Sequence, residues 1–125
     1  MQQISDYELE LMKIIWTNGG TALYAEIVQA LEDKGTPWTK NTIITLLSRL
    51  SNKGFVKANK TGFRNQYTAI VLEADYQEAQ TKTLLDKLYE GSAKGLVSTL
   101  IQKDLLSSDD YEDLRKYWKG VECDK

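Results

Sequence analysis

The sequence predicts a mainly α fold with a small β-wing, and three observations carry that prediction. Three apolar stripes at helical spacing fill the first 50 or so residues, a run rich in β-branched and aromatic residues follows from Phe55 to Ile70, and after Val71 only helical stripes recur. The charge is segregated in step with them. Between Lys34 and Leu72 there is no Asp or Glu, while Lys34, Lys40, Arg49, Lys53, Lys57, Lys60 and Arg64 supply seven positive charges.

The elements follow in order. Ser5-Asp6-Tyr7-Glu8 has the form of a capping box, with Leu9, Met12 and Trp16 striping a first helix that Asn18-Gly19-Gly20 stops. Thr21 is placed to cap a second helix, whose Leu23, Ile27 and Leu31 recur every fourth residue before the break at Lys34-Gly35-Thr36-Pro37. Trp38 is expected as a buried anchor, and Thr39 caps a third helix striped by Ile43, Leu46, Leu47 and Leu50 and closed by Lys53-Gly54. A β-hairpin comes next, with its turn expected at Asn59-Lys60-Thr61-Gly62 and its second strand running from Phe63 to Ile70. Three short helices and a hairpin, with cations gathered on the last helix and the hairpin, form the order of a winged helix-turn-helix.

From Val71 onward the balance turns acidic, with 8 basic residues against 12 acidic ones. Leu72, Tyr76, Ala79, Thr83, Leu84 and Leu88 stripe one long helix, Leu96, Val97, Leu100 and Ile101 a second, and Tyr111, Leu114, Tyr117 and Trp118 a third that opens at Ser107-Ser108. These stripes hold more large apolar side chains than a thin appendage can cover. A second copy of the chain is the expected cover, with Tyr76, Leu84, Leu88, Leu96, Val97, Leu100, Ile101, Leu114 and Trp118 as its contact residues. Folding of the arm back onto its own domain is the other arrangement that satisfies them. The expected division is residues 1–71 as a winged-helix domain and 72–125 as a helical dimerisation domain.

Composition removes several function classes. There is no histidine, and the single cysteine, Cys123, lies in the polar tail, so neither a Ser-His or Cys-His nucleophile nor a soft-metal site is expected, and no cofactor is implied. No apolar run is long enough to span a bilayer, and the first residues have no signal-peptide pattern, so no membrane partner and a cytoplasmic location are expected. What remains is binding. An acid-free stretch with clustered cations suits a polyanion, because carboxylates at close range would repel phosphate.

The third helix carries the more specific signal. At 100° per residue, the side opposite its apolar stripe presents Asn41, Thr45, Ser48 and Asn52, flanked by Ile44 and Arg49. Amide and hydroxyl groups can read base edges in a major groove, and Ile44 can touch a thymine methyl, so Lys40, Asn41, Ile44, Thr45, Ser48 and Arg49 form the candidate base-reading set. Thr39, Lys53, Lys57, Lys60 and Arg64 form the candidate phosphate and wing contacts. Docking of the same basic face onto an acidic protein is the alternative, kept open by the exposed Ile44 and the uncharged reading face.

Several separated blocks resemble the BlaI/MecI/CopY family of bacterial repressors, the penicillinase-repressor type. They are Ile4-Ser5-Asp6, Glu8-Leu9-Glu10-Leu11-Met12-Lys13-Ile14-Ile15-Trp16, Trp38-Thr39-Lys40-Asn41-Thr42-Ile43, Thr45-Leu46-Leu47-Ser48-Arg49-Leu50 and Lys53-Gly54, with Leu84-Leu85-Asp86-Lys87-Leu88-Tyr89-Glu90-Gly91-Ser92 and Leu96-Val97 further on. The resemblance implies a winged-helix domain with a dimerising arm, bound to a palindromic double-stranded operator and repressing resistance or metal-homeostasis genes. Two recognition helices would then enter successive major grooves about 34 Å apart. It also implies inactivation by cleavage in the arm or by copper at C-terminal cysteines. Here Ser98-Thr99-Leu100-Ile101 stands near the site of the family's Asn-Phe bond, and Cys123 stands alone where copper sensors carry Cys-x-Cys. Two further departures, Asn41 for a usual lysine and Ile44 for a polar or basic residue, fall on the reading face and point to a different operator.

Overall fold

The computed structural model describes residues 2–35, 38–62 and 64–123. The expected Thr36-Pro37 break and Phe63 lie outside the described residues, as do the side chains of Thr61 and of residues 119–123, Cys123 among them. Among the described residues, six helices and three strands follow in the order α1 (Asp6–Thr17), β1 (Thr21–Leu23), α2 (Tyr24–Asp33), α3 (Lys40–Asn52), β2 (Val56–Thr61), β3 (Arg64–Ala69), α4 (Glu73–Tyr89), α5 (Ala93–Gln102) and α6 (Ser108–Cys123). The fold is a winged helix followed by a helical arm.

Local chemistry sets the first three helices. The Ser5 hydroxyl accepts from the Glu8 amide at 3.2 Å and the Glu8 carboxylate accepts from the Ser5 amide at 3.0 Å, which completes the capping box expected of this tetrapeptide. Thr39 caps α3 as expected, its hydroxyl accepting from the Thr42 amide at 3.2 Å. Gly54, at φ +80°, ends that helix in a conformation which side chains with a Cβ rarely adopt, and so turns the chain into β2.

The second helix departs from expectation at its start. Thr21 does not cap it: Thr21–Leu23 pairs antiparallel with β3, in the register Thr21↔Thr68, Ala22↔Tyr67 and Leu23↔Gln66. The cap of α2 is instead Leu23, whose amide donates to the Glu26 carboxylate at 2.8 Å. The sheet therefore has three strands, in the order β1-β3-β2. Strand β2 also reaches further than expected, running on through Asn59 and Lys60 to Thr61, which faces Arg64.

A single apolar core holds the first part of the chain together. Leu11, Met12, Ile15, Ile27, Leu31, Ile43, Leu47, Leu50, Phe55 and Val56 are almost fully buried, so the stripes of α1, α2 and α3 meet against the sheet. Trp16 and Trp38 are only half-buried at its edge. The Trp16 indole donates to the Val71 carbonyl at 2.9 Å, while Trp38 packs edge-on against Tyr7 with ring centroids 5.2 Å apart.

Two compact units result, Met1–Ala79 and Gln80–Lys125, and their border falls inside α4. The first turns of α4 belong to the first unit because Tyr76 enters its core, 5.8 Å from Trp16 and 5.9 Å from Phe55 between ring centroids. Tyr76, expected on the dimer face, is thus a core residue at 8 % exposure; its place on the same stripe as Leu84 and Leu88 concealed that its partners lie upstream. In the second unit, no described residue is buried. Ser92 caps α5 by accepting from the Gly95 amide, and Ser107 exchanges reciprocal bonds with Asp110 at the start of α6.

Candidate nucleic-acid interface

The buried stripe of α3 fixes what the helix shows to solvent. With Ile43, Leu46, Leu47 and Leu50 in the core, Lys40, Asn41, Ile44, Thr45, Ser48, Arg49 and Asn52 are all exposed, as the angular count predicts. Ile44 keeps 43 % of its surface open, which costs free energy in water and suits contact with an apolar group such as a thymine methyl. Asn41, Thr42, Thr45, Leu46 and Arg49 together line a shallow recess of about 260 Å³ along the helix. Asn41, Thr45 and Arg49 follow one another at i, i+4 and i+8, so the recess offers an amide, a hydroxyl and a guanidinium in line.

The cations divide into two groups. Lys40, Arg49, Lys57, Lys60 and Arg64 are exposed and, among the described residues, take part in no ion pair. Lys57 and Lys60 stand on β2 opposite Thr68 and Asn65, and Arg64 opens β3 at the tip of the wing. Arg64 also lines a recess of about 450 Å³ with Leu23, Tyr24, Ala25 and Asn65, beside the start of α2. Lys34 and Lys53 are already engaged, Lys34 with Glu10 at 3.7 Å and Lys53 with the buried Glu8 at 2.9 Å.

Lys53, expected as a phosphate contact, is held by Glu8 in the free chain. Its ammonium also donates to the Gln3 carbonyl at 3.1 Å, so both contacts tie it to the start of α1. Thr39 is likewise occupied, its hydroxyl paired with that of Thr42 at 2.9 Å as well as capping the helix. Conversely, sequence reasoning passed over Asn59 and Asn65. Both are exposed on the paired wing strands, and the hairpin pattern would have shown them had the turn been drawn two residues later.

The arm has a different surface. Leu84, Leu88, Val97, Ile101 and Leu114 are exposed, Leu96 and Leu100 are half-buried, and Trp118 keeps 70 % of its surface open. Val97, Ile101, Leu106, Tyr111, Leu114, Arg115 and Trp118 line a mostly apolar groove of about 490 Å³. Among the described residues there is no cluster of acidic or cysteine side chains that could hold a metal ion, and no helix is long and apolar enough to cross a membrane.

An acid-free helix face with exposed cations beside it, followed by a basic two-stranded wing, is the surface of a winged-helix DNA-binding protein. The penicillinase repressor family matches residues 4–120, and the chain belongs to that family of DNA-binding transcriptional repressors, which are not enzymes. It is 35 % identical over 112 residues to the penicillinase repressor of Bacillus licheniformis, covering 90 % of this chain and 86 % of that one. It is equally 35 % identical to the methicillin resistance regulatory protein MecI of Staphylococcus aureus, over 115 residues and 90 % of each chain. Among solved structures, BlaI of B. licheniformis in complex with the blaP half-operator is 40 % identical with a TM-score of 0.50, covering 60 % of this chain and 89 % of that one. RosR of H. salinarum, at 15 % identity and a TM-score of 0.53, covers 99 % of this chain and 98 % of its own and shares the fold.

Proposed function

We propose that this chain acts as a homodimer, bound to a palindromic operator, and represses transcription by occupying it. Residues 1–71, together with the first turns of α4 that pack into their core, serve as the DNA-binding part and the rest of the chain as the dimerisation part, with Lys40, Asn41, Ile44, Thr45, Ser48 and Arg49 facing bases. Lys57, Lys60 and Arg64 hold phosphates. The observation that carries this reading is the exposed face of α3, neutral and free of acids, standing between cations that take part in no ion pair among the described residues. The dimer reading is supported by the arm, where apolar side chains of three helices are exposed and no described residue is buried. Operator binding implies the cytoplasm.

Titration against an operator obtained by selection and against a scrambled duplex, at several salt concentrations, tests it. The operator should be preferred by about a thousandfold or more, with affinity falling steeply as salt rises. Equal, weak binding to both duplexes would instead favour a winged-helix module that docks an acidic protein.

A further inference from the structure

Glu8 is the one buried charged side chain among the described residues, at 2 % exposure. A capping-box glutamate needs only to reach back one turn to its own N-cap amide, and it can do so from the surface. Glu8 does more. The same Oε1 that accepts from the Ser5 amide also accepts from the Lys53 ammonium, 45 residues away in sequence, and its Oε2 is buried without a hydrogen-bond partner among the described residues. Lys53 is the C-cap of α3, and Gly54 and Phe55 lead from it directly into the wing strand β2. One carboxylate oxygen thus joins the start of α1 to the point where the recognition helix ends and the wing begins.

An ion pair in which one partner is buried, as Glu8 is and the partly exposed Lys53 is not, adds little net stability, since desolvation offsets the attraction. What it does add is a fixed geometry between the elements it bridges. We propose that Glu8 is a positioning residue for DNA recognition: through Lys53 it sets the C-terminal end of α3, and so the placement of Thr45, Ser48, Arg49 and the wing against the groove. The proposal rests on the operator-binding reading above. It assigns Lys53 to alignment of the reading surface and removes it from the phosphate contacts.

The test uses the full chain, a selected operator and a scrambled duplex, with variants Glu8→Gln, Lys53→Met, the double variant and Lys53→Arg. Glu8→Gln keeps an acceptor for the Ser5 amide and so preserves the cap while removing the charge that holds Lys53. Glu8→Gln and Lys53→Met should each lower operator affinity by on the order of tenfold, and the double variant should be no worse than either alone. Binding to the scrambled duplex and the salt dependence should stay as in the unaltered chain, and Lys53→Arg should restore operator affinity. Thermal melts establish that each variant is folded at the assay temperature, and Lys53→Met decides the matter if Glu8→Gln is not.

Two results would overturn the proposal. If Lys53→Met weakens both duplexes alike and lowers the salt slope by about one, Lys53 is a phosphate contact. If both single variants bind the operator as the unaltered chain does, the pair is structural only. Absence of any preference in the unaltered chain is a separate result, which overturns the operator reading and this role with it.

Discussion

Asn41 and Lys60 should fail differently. The Asn41 amide can both donate to and accept from an adenine edge, so Asn41→Ala should cost about 1–3 kcal/mol of discrimination at one base pair and leave scrambled DNA bound as before. Lys60 can offer phosphate only its charge, so Lys60→Ala should weaken every duplex alike and reduce the salt slope by about 0.9. Titrations against single-base operator variants over a range of salt separate the two, and exchanged behaviour would count against the assignment. Glu8 gives a pH prediction. Burial pushes its carboxyl up, but the Ser5 amide, the Lys53 ammonium and the Ser5 hydroxyl outweigh this and hold it below its ordinary value of 4.5. A carboxyl lowered by folding stabilises the native state fully above that value, and the contribution is lost as pH falls through the folded value. Thermal melts between pH 7 and 3 should show a steeper acid loss in the unaltered chain than in Glu8→Gln; parallel curves would refute the point. Asp6 on α1 and Tyr76 on α4 also face this region, and Tyr76, raised by burial and by Asp6 and Glu8, stays neutral throughout.

Among the elements, α3 depends most on its ends. Thr39→Ala removes the acceptor for the Thr42 amide and should cost about 1 kcal/mol in urea denaturation. Gly54→Ala, at φ +80°, should cost a similar amount, although a Cβ there would meet no atom within 4 Å. Both ends of this helix were legible in the sequence because each depends on its near neighbours. So were the Ser5 capping box and the four buried positions Ile43, Leu46, Leu47 and Leu50. What escaped was structure set by distant partners. β1 has only three residues, too few to show a period, and exists because Gly19 and Gly20, both at positive φ, deliver Thr21 to the edge of β3. The Lys53–Glu8 pair and the burial of Tyr76 against Phe55 likewise depend on residues far along the chain.

At the level of the whole molecule, the exposed arm residues carry the association prediction. A charge placed among them, as in Leu114→Lys, should shift the chain towards monomer in sedimentation experiments. It should weaken binding to a full palindrome by more than about a hundredfold while leaving affinity for an isolated half-site nearly unchanged. A dimer that persists with Leu114→Lys and Trp118→Lys combined would place the interface elsewhere. The wing matters at this scale too. Because β2 stays paired as far as Thr61↔Arg64, the backbone of Lys60 is held opposite Asn65 before any DNA arrives. Ordering a free turn on binding would forfeit roughly 1–2 kcal/mol of backbone entropy for each residue fixed. On a two-fold operator that loss would be incurred once per subunit, so the pairing of Lys60 in advance spares the complex twice over.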